Sequence, residues 1–206
     1  LSGKPAAAKL VVLILAKAPA LVPSAIVTAC TPKTAATALK LLEAYPNVTL
    51  DATVLEPLLA KDGRRLMKLV LDESMEAREL VTALYAKNDA MKATIRSPAM
   101  VASIATPGSA GIALSLINTF EIAVDGELSD ALLADDAEGK SKLVELMAAS
   151  EGSTAIAEAC VALVKKLCTD NAAIKAAAVS TDMFIAMANP ATVSVALKLI
   201  EEMGLE

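Results

Sequence analysis

Three cysteines and one acidic run are the side chains whose types allow metal, redox or acid–base chemistry. Cys30, Cys160 and Cys168 are odd in number, contain no Cys-x-x-Cys pair and form no disulfide framework. Cys160 and Cys168 stand two helical turns apart on one expected helix, which keeps them from bridging. Buried apolar thiols in a reducing compartment are the expectation. The run Asp125-Gly126-Glu127, Asp130, Asp135, Asp136 and Glu138 offers oxygen ligands for a hard cation. It lacks the alternating Asp/Asn spacing and closing Glu of a calcium loop. Carboxylates opening helices explain it without a metal. No catalytic, cofactor-binding or metal-ligating set is expected.

Composition narrows the chemistry further. The chain has no histidine and no tryptophan. Ser-His-Asp, Cys-His and His-ligated zinc hydrolysis are therefore excluded. Only carboxylate, lysine or cysteine catalysis survives. The basic spot Lys61-Asp62-Gly63-Arg64-Arg65 with Lys68 has no interleaved aromatics for base stacking, and neither has Lys165-Lys166 beside Lys175. With a net charge of −5, no nucleic-acid partner is expected. Gly108-Ser109-Ala110-Gly111 lacks the strand and the Lys-Ser/Thr ending of a phosphate loop. The eight methionines scatter along expected helices as core filling.

Residues 97–120 carry no charge, but Pro98, Pro107, Gly108 and Gly111 interrupt them, so a helix boundary is expected rather than a membrane span. Leu10 to Cys30 follows two lysines and ends in a lipoprotein-like Val27-Thr28-Ala29-Cys30. Lys17, Pro19 and Pro23 spoil the apolar core of such a signal, and two helices and a cytoplasmic location are expected instead.

What must position these residues is helix. Hydrophobic residues make up 55% of the 206 and aromatics only 2%, so Ala, Leu, Val, Ile and Met do the packing. A repeat organises them. Residues 31–43 and 189–201 share Pro32/Pro190, Thr34/Thr192, Ala38/Ala196, Leu39/Leu197, Lys40/Lys198, Leu41/Leu199 and Glu43/Glu201. Thr106-Pro107, Ala113-Leu114 and Leu116-Ile117 repeat the frame. In each copy the Thr or Asn is expected to cap a helix, with Pro in its first turn. Weaker copies begin at Glu73, with Ser74 replacing the proline, and at Ser153. The five frames recur at about 40 residues, at the lower edge for armadillo and HEAT units.

Between these long helices shorter ones are expected. They run from Asp51 to Ala60 and Arg64 to Leu71, with a break at Lys61-Asp62-Gly63. Others run from Asn88 to Ile95, Met100 to Ala105, Ser129 to Leu133, Asp135 to Gly139 and Lys142 to Ala148. Asn171 to Val179 and Met183 to Ala188 complete the set. One long and two short helices per unit is a three-helix arrangement.

The stretch Glu158-Ala159-Cys160-Val161-Ala162-Leu163-Val164-Lys165-Lys166-Leu167-Cys168-Thr169-Asp170-Asn171 resembles the third-helix consensus of armadillo repeats, Glu-Ala-Ala-Leu-Trp-Ala-Leu-x-Asn-Leu-Ala-x-x-Asn. Asn171-Ala172-Ala173-Ile174-Lys175 resembles the opening of a following unit. The resemblance covers about residues 31–204 at degenerate apolar spacing. It implies an all-α, right-handed α-solenoid of about five armadillo-like three-helix repeats, as one domain over 1–206. Residues 1–30 would form N-terminal capping helices, and 31–206 the repeats.

Similar proteins clamp extended peptides in a concave groove, with an Asn on each third helix and a nearby Trp. The Asn positions correspond to Ala44, Ala86, Thr119, Lys166 and Glu202. The Trp positions correspond to Lys40, Thr82, Ser115, Ala162 and Lys198. No Asn or Trp is kept, so the resemblance implies a concave face without the family's main-chain ladder. A one-residue shift brings only Asn118 near it.

Three functions stand open. The first is a non-catalytic scaffold that binds a protein or peptide, with homo-oligomers through terminal repeats as a further expectation. The second is a designed solenoid with no natural ligand, suggested by the missing His and Trp and the alanine-rich interior. The third is a carboxylate- or lysine-dependent enzyme.

Overall fold

Capping chemistry and apolar spacing divide the chain into short helices, and the computed structural model places them for residues 5–137, 139–149, 154–187 and 201. Every element assigned among these residues is helical except an isolated antiparallel bridge between Asp135 and Ser141. The chain forms two compact units, Leu1–Ile95 and Arg96–Glu206.

The first unit contains α1 (Pro5–Ala16), α2 (Val22–Ala29), α3 (Ala35–Ala44), α4 (Ala52–Val70), α5 (Met75–Lys87) and α6 (Asp89–Ile95). The long helix α3 packs on α1 and on α5, while α4 lies against α2, α5 and α6. Ile26, Leu41, Leu55, Leu66, Leu80 and Leu84 are fully buried between them. Each buried leucine contributes about 2–3 kcal/mol by removal of its side chain from water.

The second unit contains α7 (Pro98–Ile104), α8 (Ala110–Thr119), α9 (Gly126–Leu133), α10 (Lys142–Ala148), α11 (Thr154–Asp170), α12 (Ala172–Ala178) and α13 (Thr181–Met187). Here α8 packs on α11, α7 and α12 both pack on α9, and α10 touches α9, α11 and α13. Ile104, Ile117, Leu132, Leu146, Leu163 and Ile174 fill the centre.

The same local devices recur in both units. Thr34 Oγ1 donates to the Ala29 carbonyl at 2.7 Å, and Ser109 Oγ donates to the Ile104 carbonyl at 2.6 Å. Asp51 caps α4 by accepting from the Val54 amide at 2.8 Å; Asp125 caps α9 by accepting from Leu128 at 3.0 Å. Asn88 and Asn171 then open α6 and α12 through their side-chain oxygens. Leu80, Val81 and Leu84 of α5 have the same residue types, at the same spacing, as Leu163, Val164 and Leu167 of α11.

Four local expectations are corrected. Thr31 and Thr106 do not cap through their side chains: each precedes a 3₁₀ turn, Pro32–Thr34 or Pro107–Ser109, and bonds to the hydroxyl three residues on. That pairing leaves the hydroxyls no geometry for the helix amides, and the α-helices begin three residues later. Ser74, not Glu73, stands at the cap of α5 and accepts from Ala77 N at 3.3 Å. No break occurs at 61–63, because one interior glycine costs a helix only about 1 kcal/mol and α4 runs through it. Where a helix from Asp135 to Gly139 was expected, Asp136 and Gly139 belong to a tight turn, with the Gly139 amide donating to the Asp136 carbonyl at 3.1 Å. Gly139 adopts φ +73°, and Asp136 takes the Lys140 amide on its carboxylate at 2.9 Å. The Ser153 cap and the final repeat copy at 189–200 lie outside the described residues.

Candidate functional site

The long helices carry the candidate positions on their solvent sides. An α-helix repeats every 3.6 residues, so positions four apart share a stripe. Lys40 and Ala44 on α3, and Thr82 and Ala86 on α5, are exposed. In the second unit Ser115 and Thr119 on α8, and Ala162 on α11, are exposed, while Lys166 is half-buried and pairs with Asp170 at 2.8 Å. Asn118 is exposed as well. Because α3 packs on α5 and α8 on α11, each unit brings its two stripes onto adjacent helices. Lys198 and Glu202 lie outside the described residues.

A groove of about 560 Å³ opens beside the first of these stripes, lined by Lys9, Val12, Leu13, Lys40, Glu43 and Ala44. Its walls are α1 and α3, which Tyr45 ties together by donating its hydroxyl to the Val12 carbonyl at 3.0 Å. The floor is aliphatic. Two ammonium groups and one carboxylate stand around it. Such a site offers dispersion contacts to an apolar side chain and charge-assisted hydrogen bonds to a carboxylate. Of its lining, the sequence reading singled out only Lys40 and Ala44. Lys9 and Leu13 were missed because residues 1–30 read as a cap, although their spacing four apart on an apolar helix was visible.

A second hollow of about 500 Å³ lies among Pro46, Asn47, Leu50, Asp51, Lys87 and Asn88. It is a seam rather than a site, since its polar groups are committed to the fold. Lys87 Nζ donates to the Pro46 carbonyl at 2.7 Å, and Asn88 Nδ2 donates to that of Leu50. Beside it, the hydrogen bond and charge of Lys92 hold the Asp89 carboxyl below its ordinary range.

The remaining chemical candidates are structural. All three cysteines are buried and unpaired with one another. Burial pushes the Cys30 thiol up to about 12 and the Cys168 thiol up to about 11, partly offset by Arg65 and Lys175 respectively. Burial raises Cys160 too. These thiols stay protonated and non-nucleophilic at neutral pH. In the acidic run, Asp125 caps α9 and Asp136 closes its turn. Among the described residues, no group of three His, Cys, Asp or Glu side chains gathers as metal ligands would. In the basic spot, Arg65 donates to the Val27 carbonyl at 3.1 Å, while Arg64 and Lys68 are exposed.

No single helix among the described residues is long and apolar enough to cross a membrane. The uncharged stretch bends by 102° between Pro98–Ile104 and Pro107–Thr119. No family model, curated protein or solved structure matches the chain.

Proposed function

We propose that this chain is a non-catalytic helical-repeat scaffold, an armadillo-like solenoid that binds a peptide segment of a partner protein along its long helices. The observation that carries the reading is the groove between α1 and α3, apolar at its floor and flanked by Lys9 and Lys40. Its neighbours support it: the exposed stripes of α3 and α5 lie on packed helices and carry small or polar residues that leave room for a ligand. The hydrogen-bond devices that recur in both units support a stacked array of like repeats. In such arrays each unit buries its apolar face on its neighbours and the long helices line one surface.

The groove's chemistry selects a peptide with an aliphatic anchor next to an aspartate or glutamate. Panning a displayed random-peptide library on the intact chain should enrich that pattern. Lys9→Glu with Lys40→Glu should weaken the selected peptides at least tenfold, with unchanged circular dichroism. Selected peptides that bind the double variant as tightly, or no enrichment at all, would overturn the assignment.

A further inference from the structure

The residue that ends α3 is aromatic, and so is the one that ends α8. Tyr45 and Phe120 stand directly after those helices, each with its amide bonded to the carbonyl four residues back at 3.0 Å. An aromatic ring serves both helix ends, and Phe120 shows that the ending needs no hydroxyl. Tyr45 has one and uses it elsewhere. Its backbone is held on both sides: its carbonyl accepts from the Val48 amide at 3.1 Å, and the following Pro46 narrows its conformational range. The half-buried phenol is thus a fixed post at the end of α3. From there Oη donates to the Val12 carbonyl of α1 at 3.0 Å. A helix carbonyl has a second lone pair to accept it.

That bond bears on the groove. Lys9, Val12 and Leu13 belong to α1, whereas Lys40, Glu43 and Ala44 belong to α3. The separation of the two ammonium groups therefore depends on how α1 is registered on α3. Apolar contacts between the helices are non-directional and permit sliding. Among the described residues, the Tyr45 hydrogen bond is the one directional contact between α1 and the end of α3. A charge-assisted hydrogen bond holds its atoms within a narrow range of distance, so one carboxylate can use both ammonium groups only at a set separation. We infer that Tyr45 is the positioning residue of the groove: its hydroxyl sets the register of α1 on α3 and so pairs Lys9 with Lys40 on one carboxylate. The inference rests on the peptide-groove reading above and adds the device that makes two lysines on separate helices act as one receptor. Preference for an acidic residue over a neutral one then belongs to the pair, not to either lysine.

Tyr45→Phe removes the hydroxyl and keeps the ring, which suffices at the end of α8, so the fold is kept. Isothermal titration with the tightest peptide from the panning above provides the test, run as a cycle of Lys9→Ala and Lys40→Ala in both backgrounds. In the wild type the two losses should be coupled, the double variant binding about threefold or more tighter than independent losses would give. In Tyr45→Phe the peptide should bind about fivefold more weakly, with native circular dichroism. There the two lysine losses should multiply as independent ones do. A hydroxyl with a merely structural role would lower affinity and leave the coupling as it was. Coupling that persists in Tyr45→Phe, a wild type without coupling, or equal affinity in the two backgrounds overturns the inference. In each of those cases the peptide still binds and the groove reading stands. Panning that enriches no peptide overturns the groove reading itself, and this inference with it.

Discussion

The side chain of Asn171 donates through Nδ2 to the Val124 carbonyl at 3.0 Å, tying the start of α12 to the residue just before the Asp125 cap of α9. Its Oδ1 meanwhile accepts from the amides of Ala173 and Ile174 at 2.9 and 3.1 Å. Asn88 does the same for Leu50, the residue before the Asp51 cap, while capping α6 through Met91 N at 3.0 Å. One amide side chain thus caps a short helix and holds the loop that starts another. Asparagine alone combines the acceptor and donor in that geometry, which explains its presence at both places.

Replacing Asn171 by Ala should destabilise the chain by about 2 kcal/mol, half from the lost cap and half from the lost tie. Asn171→Asp keeps the acceptor and should recover only the cap. Urea unfolding of the two variants checks this. An aspartate variant as stable as the wild type would mean that the Val124 contact contributes nothing.

Ser129 is 2% exposed, and its hydroxyl has no hydrogen-bond partner. A buried unsatisfied hydroxyl costs about 1–3 kcal/mol. Ser129→Ala should therefore raise the urea midpoint, by the equivalent of about 1 kcal/mol after the small void is allowed for. A clear loss of stability would show that the hydroxyl is satisfied in solution.

The cysteines predict an alkaline stability profile. Their folded pKa values lie above the ordinary 9.0, so both folded and unfolded chains are protonated below that pH and no dependence arises there. Above it the unfolded chain loses its thiol protons first. Stability should fall by up to about 1.4 kcal/mol per pH unit per thiol as pH climbs towards the folded values. Cys30→Ala should flatten the fall, measured under reducing conditions. A thiol reagent should find no reactive cysteine in the native chain at neutral pH and three after unfolding.

Two glycines should respond with opposite signs. A Cβ built on Gly111 in α8 meets the Ala159 Cβ of α11 at 3.7 Å, an ordinary contact. Gly111→Ala should stabilise by up to about 1 kcal/mol through helix propensity. Gly139 sits at φ +73°, where an L side chain is strained, and Gly139→Ala should cost about 1–2 kcal/mol. Thermal melts of the pair separate backbone strain from packing, and a shared sign would contradict the two assignments.

Much of the helical plan was legible because it is written in apolar spacing and punctuation. Asn88 and Asn171 each mark a helix start within a residue, whereas the helices expected from Met100 and Met183 begin two residues earlier, at Pro98 and Thr181. What escaped depends on choices that local sequence leaves open. Whether the hydroxyl of Thr31 turns to an amide or to Thr34 is settled by the 3₁₀ turn that Pro32 begins. Whether Gly63 ends a helix depends on the packing of α4 against α2, α5 and α6, which outweighs its propensity cost. The groove was half legible: Lys40 and Ala44 stood at repeat positions, while Lys9, Val12 and Leu13 became lining only once α1 docked on α3.

Small-angle X-ray scattering on the chain, extrapolated to infinite dilution, tests the stacked-repeat claim most directly. A single compact domain of 206 residues has a radius of gyration of about 17 Å. Units arrayed in succession predict a larger radius and a pair-distance distribution skewed to long distances. A radius at the compact value with a symmetric distribution would contradict them.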